Sequence, residues 1–460
     1  MLLPRIQSSL SFPRLSRYRI RDQGFSSSSQ VRSRARFPSD TRVLFVSNLH
    51  PEPHASAAGV RTLRLLEKLR ECPGIESIHY ATPSTKPPTL GALDDVHWHG
   101  WTPNQSTQAQ EFLTQTLPTA QHWLVIFDRF YTEEMHSHYI HEHWPEAVCV
   151  LDMQDVHSLR MARRPPQNGG KDGILVSNDS TDWDQLLLSR DESSMWWREL
   201  ASIHRSDLTL VCSPVEMDIL QSRGGLAATK LCWAPLLNTK QVDVKQSLRD
   251  RKDFVFVGGF KHEPNVDAVH QLKRLWPRIR KCAPDAQIHI YGAYCPTHLQ
   301  QKLHDPASGF LVHGFADSLS DVFSNARVLL APLRYGAGLK GKLVDSWRHG
   351  VPVVTTSIGM EGLGTGTCCV ADSDEEFVRI AVEVYHNEEV WWESLAQGMG
   401  CLDKLSNDQV LPSLLDAVVD ARRRREQDPV RSLLWHQKHR STEYFCKYIE
   451  FKEKWKGAVK

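Results

Sequence analysis

Short apolar runs alternate along this chain with stretches whose apolar positions recur at helical spacing. VLFVSN (43–48) is the first run. A loop with Pro51, Pro53 and small residues from Ala55 to Gly59 follows, and VRTLRLLEKLRE then sets Val60, Leu63, Leu66 and Leu69 on one helical face. Ile78–Ala81, Trp123–Phe127, Val148–Leu151 and Leu208–Cys212 are predicted as further buried strands, and Ser106–Gln115, Glu133–His143, Trp183–His204 and Pro214–Gln221 as helices. After a polar stretch over 238–252 the pattern restarts. Phe254–Val257 is a strand, Gly258 and Gly259 a turn, and Val269, Leu272, Leu275 and Ile279 mark a helix. Strands are predicted over 286–292, 310–314, Arg327–Leu330 and Val351–Thr355, with a short helix over Asp317–Ser324. This alternation predicts an α/β chain of two Rossmann-like, doubly wound domains facing a cleft, with ligands at the carboxyl ends of the strands.

The predicted organisation is a leader over 1–40, a first domain over 41–240, a second over 241–420 and a basic helical tail over 421–460. The leader has its own composition. Arg5, Arg14, Arg17, Arg19, Arg21, Arg32, Arg34 and Arg36 lie among many serines, and Asp22 and Asp40 are its acids. Leu2, Leu3, Ile6 and Leu10 open an amphipathic stretch. This is transit-peptide composition, read as mitochondrial, with a plastid peptide or an unaddressed basic tail as alternatives and a cytoplasmic protein in the last case. The segment 164–182, rich in Pro, Gly, Asn and Ser, reads as a loop or lid.

The net charge of +1 gives no global attraction to nucleic acid. No run approaches the roughly 18 apolar residues of a membrane helix. The ten cysteines show no CxxC or zinc spacing, and the Cys368–Cys369 pair reads as strand packing rather than redox chemistry.

Ala331 to Gly350, APLRYGAGLKGKLVDSWRHG, carries the most chemistry. It joins one buried strand to the start of a helix through Gly336, Gly338 and Gly341, with Lys340 and Lys342 among them. Such a loop offers backbone N–H groups, a helix N-terminus and two positive charges to a phosphate. It also reads as an ordinary turn with solvated lysines. Gly59 and Arg61 sit where a ligand would approach the first strand, Arg61 alternatively being a solvated helix residue. Asp152, Asp155, His157 and Arg160 follow a buried strand, where sites form in this fold, although either aspartate alternatively caps a helix. His136, His138, His141 and His143, beside Glu133 and Glu134, read as a solvated helix face rather than a zinc site, because nothing supplies a convergent ligand set. Asp372 and Asp374 form a DxD that reads as helix capping rather than a cation site. In the tail, lysines interleave with Leu433, Trp435, Tyr444, Phe445, Phe451 and Trp455. An apolar face packed back across the domain junction is the preferred reading; a membrane surface or nucleic acid is the sharper one, and peripheral membrane contact stays open.

Taken together, VLFVSN…GVRTLRLLEKL, FVGGFKHEPNVDAVHQL, IYG, HGF and APLRYGAGLKGKLVDSWRHGVPVVTTSIGMEGL resemble the group 1 (family 4) glycosyltransferases of the GT-B fold. The second domain is the more specific match. The resemblance implies a nucleotide-sugar donor on the second domain, an unidentified acceptor on the first, a retaining reaction, no metal and no cofactor beyond the donor as co-substrate. Carried over by position, it implies catalytic roles for Lys340, Asp345 and Lys261. It also implies donor contacts from Gly258, Gly259, Arg334, Gly338, Lys342, Gly59 and Arg61. Asp152 and His157 are the acceptor-side candidates. Many members carry two glutamates eight positions apart; here those positions are Ala337 and Asp345. A binding protein without catalysis and a nucleotide-sugar epimerase are therefore alternatives.

Overall fold

The computed structural model describes residues 37–83, 93–101, 106–165, 193–235, 240–242, 248–364, 369–405 and 410–458. The leader over 1–36 and most of the 164–182 segment lie outside these residues. The chain builds two parallel sheets. The first orders its strands β3-β2-β1-β4-β5-β6-β7, where β1 is Thr41–Val46, β2 Ile75–Thr82, β3 His97–Gly100, β4 His122–Asp128, β5 Val148–Asp152, β6 Leu208–Val211 and β7 Leu231–Trp233. The second orders β10-β9-β8-β11-β12, where β8 is Asp253–Val257, β9 Ile288–Tyr291, β10 Phe310–Gly314, β11 Ala326–Ala331 and β12 Val353–Thr355. Every pairing between these strands is parallel. The two domains are therefore Rossmann-like and doubly wound.

The central strands are apolar throughout because helices cover both faces. In the first domain the helices are α1 (Ala57–Arg70), α2 (Ser106–Glu111, continued by a π turn over Phe112–Thr116), α3 (Phe130–His143), α4 (His157–Ala162), α5 (Ser193–Arg205) and α6 (Pro214–Ser222). In the second they are α7 (Glu263–Cys282), α8 (Thr297–Leu303), α9 (Leu319–Ser324), α10 (Gly341–Arg348), α11 (Ser357–Met360), α12 (Asp374–His386) and α13 (Glu388–Leu405). Strand order reverses between β1 and β4 in one sheet and between β8 and β11 in the other. These are the points where loops diverge and leave room for a ligand. The loops after β8 and β11 contain Gly258–Gly259 and the glycine–lysine stretch. Strands β3 and β7 were not anticipated. HWHG is short and polar, and β7 has three residues, so neither carries an apolar signal of its own.

Three other expectations change. Helix α14 (Val410–Glu426) returns to the first domain, where Val410, Leu414, Ala417 and Ala421 join its core. The second domain thus gives up the chain at 410, before 420. At the end of α14, Arg425 donates to both oxygens of buried Asp207 at 2.8 and 2.6 Å and to the Ala147 carbonyl at 2.5 Å. The histidine stretch is not a solvated face. His136 and His138 are 1% and 5% exposed, because α3 is packed between β4, α5 and the tail. Burial holds His136 down at about 3. Among the described residues no group of three His, Cys, Asp or Glu is placed to hold a metal. In the DxD the cap of α12 is Ser373, which accepts from Glu376 N–H. Asp374 sits in the first turn and pairs with Arg274, and Asp372 accepts from Ser357 N–H at 2.8 Å.

Helix α5 is fastened to α3 by Arg205, whose Nε donates to Glu133 Oε1 at 2.8 Å with both residues buried. Breaking one half of a buried ion pair leaves the other charge without compensation. Arg205→Ala is expected to lower the unfolding free energy by about 3–5 kcal/mol, read from urea denaturation. A change below roughly 1 kcal/mol, the surface-pair range, would show that water reaches Glu133.

Candidate functional site

The carboxyl ends of β1, β4 and β5 converge on a buried polar network. Arg61 of α1 donates to Asp152 Oδ1 at 2.6 Å, to Gln154 Oε1 at 3.1 Å and to the Pro235 carbonyl at 2.9 Å. Gln154 donates to Asp128 and Asp152 at 3.0 Å each, and Ser47 to Asp128 at 2.8 Å. Gln154 holds a left-handed backbone (φ 64°), a strained state for a non-glycine residue that these bonds fix in place. This corrects two expectations. Arg61 is neither solvated nor facing a donor, and Asp152, 0% exposed, is not open to an acceptor; each satisfies the other beneath the cleft. Gly59 is likewise structural. A Cβ there would lie 2.4 Å from the Glu52 backbone, which folds over the start of α1.

The next turn of chain faces the cleft. Burial would raise Asp155, but His157, Arg160, His262 and Arg129 outweigh it and hold the carboxyl down at about 2. His157 opens α4 with Nδ1 3.3 Å from Asp155 Oδ1, and its ring meets Phe130 and Tyr131 edge-on. Its backbone N–H donates at 2.7 Å to Glu199, a fully buried carboxyl on α5 that burial pushes up to about 8. Of the two acceptor-side candidates, His157 is the one whose side chain keeps some exposure, at 12%.

The glycine–lysine loop reaches across from the second domain and plugs into this surface. Residues 36–460 form one compact unit. Gly338 takes φ +66°, and a Cβ on it would stand 3.1 Å from Asp155 Cβ and 3.3 Å from Cys212 Sγ. Its N–H donates at 2.8 Å to Oε1 of Glu216 on α6, which also accepts from Val156 N–H at 2.9 Å. Ala337 packs into the first domain's core beside Met153 and Val156. Arg163 completes the junction. It donates to the Gly336 carbonyl at 2.8 Å and to both oxygens of Glu361 at 2.7 and 2.6 Å.

Behind the plug lie the lysines. Lys340 Nζ turns back to the Gly338 carbonyl at 2.6 Å, and burial lowers it against the pull of Glu361. Lys342 Nζ donates at 2.5 Å to Asn265 Oδ1 and stands 4.3 Å from the centroid of Phe256. Burial, then the neighbouring Lys340, brings it down to about 7. Asn265 Nδ2 donates to the Gly259 carbonyl at 2.9 Å, and a Cβ on Gly258 would meet that same side chain at 2.7 Å. Gly258, Gly259, Gly338, Lys340 and Lys342 are thus brought together at the switch point of the second sheet. Asp345 lies one turn further along α10; burial raises it to about 6 against the pull of Arg348. The donor candidate Arg334 and the catalytic candidate Lys261 each have a partner of their own. Arg334 pairs with Asp267 (Nε to Oδ2, 2.9 Å), and Lys261 lies 3.5 Å from the Tyr294 ring centroid.

Sequence reasoning missed Glu216, Glu199, Arg163 and Asn265. The signal was available for the glutamates, since each interrupts an apolar helix, PVEMDIL and WWRELASI. An ionisable residue on a buried face needs a partner.

Burial raises the Glu216 carboxyl from 4.5 to about 7, so the folded chain holds its proton more tightly than the unfolded one. Its contribution to stability is present at low pH and is lost as pH climbs from 4.5 through about 7. Glu216→Gln is expected to flatten that part of a thermal-midpoint profile. An unchanged slope would place the dependence elsewhere.

Residues 251–387 match the family described as glycosyl transferases group 1. No curated protein matches the chain. Among solved structures, Anabaena HepE in complex with UDP-glucose superposes with a TM-score of 0.56 at 9% identity, over 83% of this chain and 98% of that one. Sucrose-phosphate synthase from Thermosynechococcus elongatus gives 0.53 at 12% identity, over 83% and 98%. For S. aureus TarM the values are 0.51 and 10%, over 68% of this chain, which spans only 58% of TarM. At these identities the superpositions show the fold, and the fold is GT-B. Within that fold, residues 251–387 are the part that matches the group 1 glycosyltransferases.

Proposed function

We propose that the protein moves a glycosyl group from a uridine diphosphate sugar to an acceptor on its first domain, with retained configuration and without a metal. The observation that carries this reading is the gathering of Lys340, Lys342, Gly338 and the Gly258–Gly259 turn at the switch point, inside the segment that matches the family. HepE, of the same fold, is named as a complex with UDP-glucose, and this supports the choice of base. As the bond from the sugar to the diphosphate breaks, negative charge grows on the phosphate. N–H groups and ammonium groups fixed in advance stabilise it there. Lys340 and Lys342 take that role here, and Asp345 is assigned to the ribose. Asp155, His157 and Arg160 form the acceptor wall. The reaction is assigned to the mitochondrion, with the plastid or the cytoplasm as alternatives, on the composition of the leader.

Engagement of the loop by its own protein favours a second reading. Glu216 already holds the Gly338 N–H, and Lys340 its own loop's carbonyls. A chain locked in that state would bind nucleotide without turnover.

Uridine diphosphate is expected to raise the thermal midpoint, in EDTA as without it. Saturation at roughly 100 times the dissociation constant adds about 2.7 kcal/mol to a protein that binds only when folded. Lys340→Ala is expected to lower turnover of the donor about 100- to 1000-fold. A shift without turnover selects the second reading; no shift with any nucleotide contradicts both. The anion should restore the charge on Lys342, so affinity is expected to weaken as pH rises above about 7. Calorimetry in buffers of different ionisation enthalpy would then record proton uptake. Affinity that strengthens with pH would contradict the assignment of Lys342.

A further inference from the structure

The last helix, α15 (Pro429–Ala458), is 30 residues long and has two unlike faces. One is fastened to the first domain. Trp435 is buried and stacks on His141 with centroids 4.2 Å apart, and its indole N–H donates to the Arg205 carbonyl at 3.3 Å. Arg431 donates to the same carbonyl at 3.1 Å. The opposite face carries Tyr444, Tyr448, Phe451 and Trp455, at steps of four, three and four residues that keep all four on one stripe. Leu433, eleven residues before Tyr444, extends the stripe toward the start of the helix. These side chains are between 58% and 68% exposed. The expectation that the tail's aromatics pack back across the domain junction is therefore met by Trp435 and not by these.

Charge sets the occupant. Lys452 borders the stripe on one side and Lys447 and Lys454 on the other, all exposed. Glu450 falls away from the stripe and accepts from Lys454 at 2.9 Å. From 431 to 460 the sequence has eight Lys or Arg against three Glu, in a chain whose net charge is +1. Tyrosine and tryptophan carry a polar group on an apolar ring, and lysines beside them extend apolar stems with charged tips. A helix so arranged lies in the plane of a bilayer, rings at the headgroup–acyl boundary and ammonium groups on anionic headgroups. No helix among the described residues is long and apolar enough to cross a membrane.

We propose that the Tyr444–Trp455 face of α15 docks the protein on an anionic lipid surface. This rests on α15 alone and stands whether or not the donor reading does.

The test is co-sedimentation of the full chain with vesicles of phosphatidylcholine alone and of phosphatidylcholine mixed with phosphatidylglycerol. Binding is expected to the mixed vesicles only, and to weaken with salt. Phe451→Ser/Trp455→Ser should abolish it while leaving the thermal midpoint in place, because both side chains are exposed. Lys452→Glu/Lys454→Glu should weaken it by more than the roughly fivefold per lysine expected from loss of each positive charge. The basic leader provides a second route to anionic vesicles, so the variants decide. Variants that sediment like the parent, a parent that sediments with neither vesicle or with both equally, or a stripe variant that instead dissolves an oligomer in lipid-free solution would overturn the proposal.

Discussion

One hydrogen bond organises the molecule, that from the Gly338 N–H to the buried carboxyl of Glu216. It joins the tip of the second domain's glycine loop to the first domain's α6. The same carboxyl accepts from Val156 N–H, just after β5, and so ties the cleft floor to the loop. Glycine suits position 338, where φ is positive and a Cβ would stand 3.1 Å from Asp155 Cβ, closer than ordinary van der Waals contact. Arg163 and Glu361 brace the loop from the other side. Relative movement of the two domains, the ordinary expectation for this architecture, must break or carry this junction.

The junction also sets the charge of the cleft. The first domain satisfies its own buried charges, Arg61 with Asp152 and Arg205 with Glu133, and contributes little net field from them. The second domain leaves two ammonium groups close together at the head of α10, one of them near its titration point. Such a pair is costly without an anion, and on the proposed function that anion is the diphosphate of the donor. In the present arrangement Glu216 and the loop carbonyls stand in for it. On the proposed function, anion binding and the domain junction would compete for the same loop.

Much of this was legible in the sequence because parallel strands buried on both faces read as unbroken apolar runs, and because glycines must stand where backbone meets backbone. The two sheets and the switch-point loops follow from those signals, while the grouping of Gly258, Gly259, Lys340 and Lys342 was implied by the family resemblance. What was not legible depends on residues distant in sequence. Arg61 reads as a surface helix residue until Asp152, ninety-one positions away, is placed beside it. The histidines of α3 read as solvated until α5 and α15 cover them. Glu216 is one of two acids, with Asp218, in an otherwise apolar helix, and its role appears only when the other domain arrives. Helix α15 reads as mixed because its two faces serve different surroundings.

Hydrogen–deuterium exchange with and without uridine diphosphate tests the account most directly, because it reads the backbone of the loop itself. If the two loops hold the diphosphate together, nucleotide slows exchange in 258–262 and in 336–344 together and changes exchange around 154–158, where the same junction is anchored. Nucleotide binding that protects other segments and leaves 336–344 unchanged would contradict it.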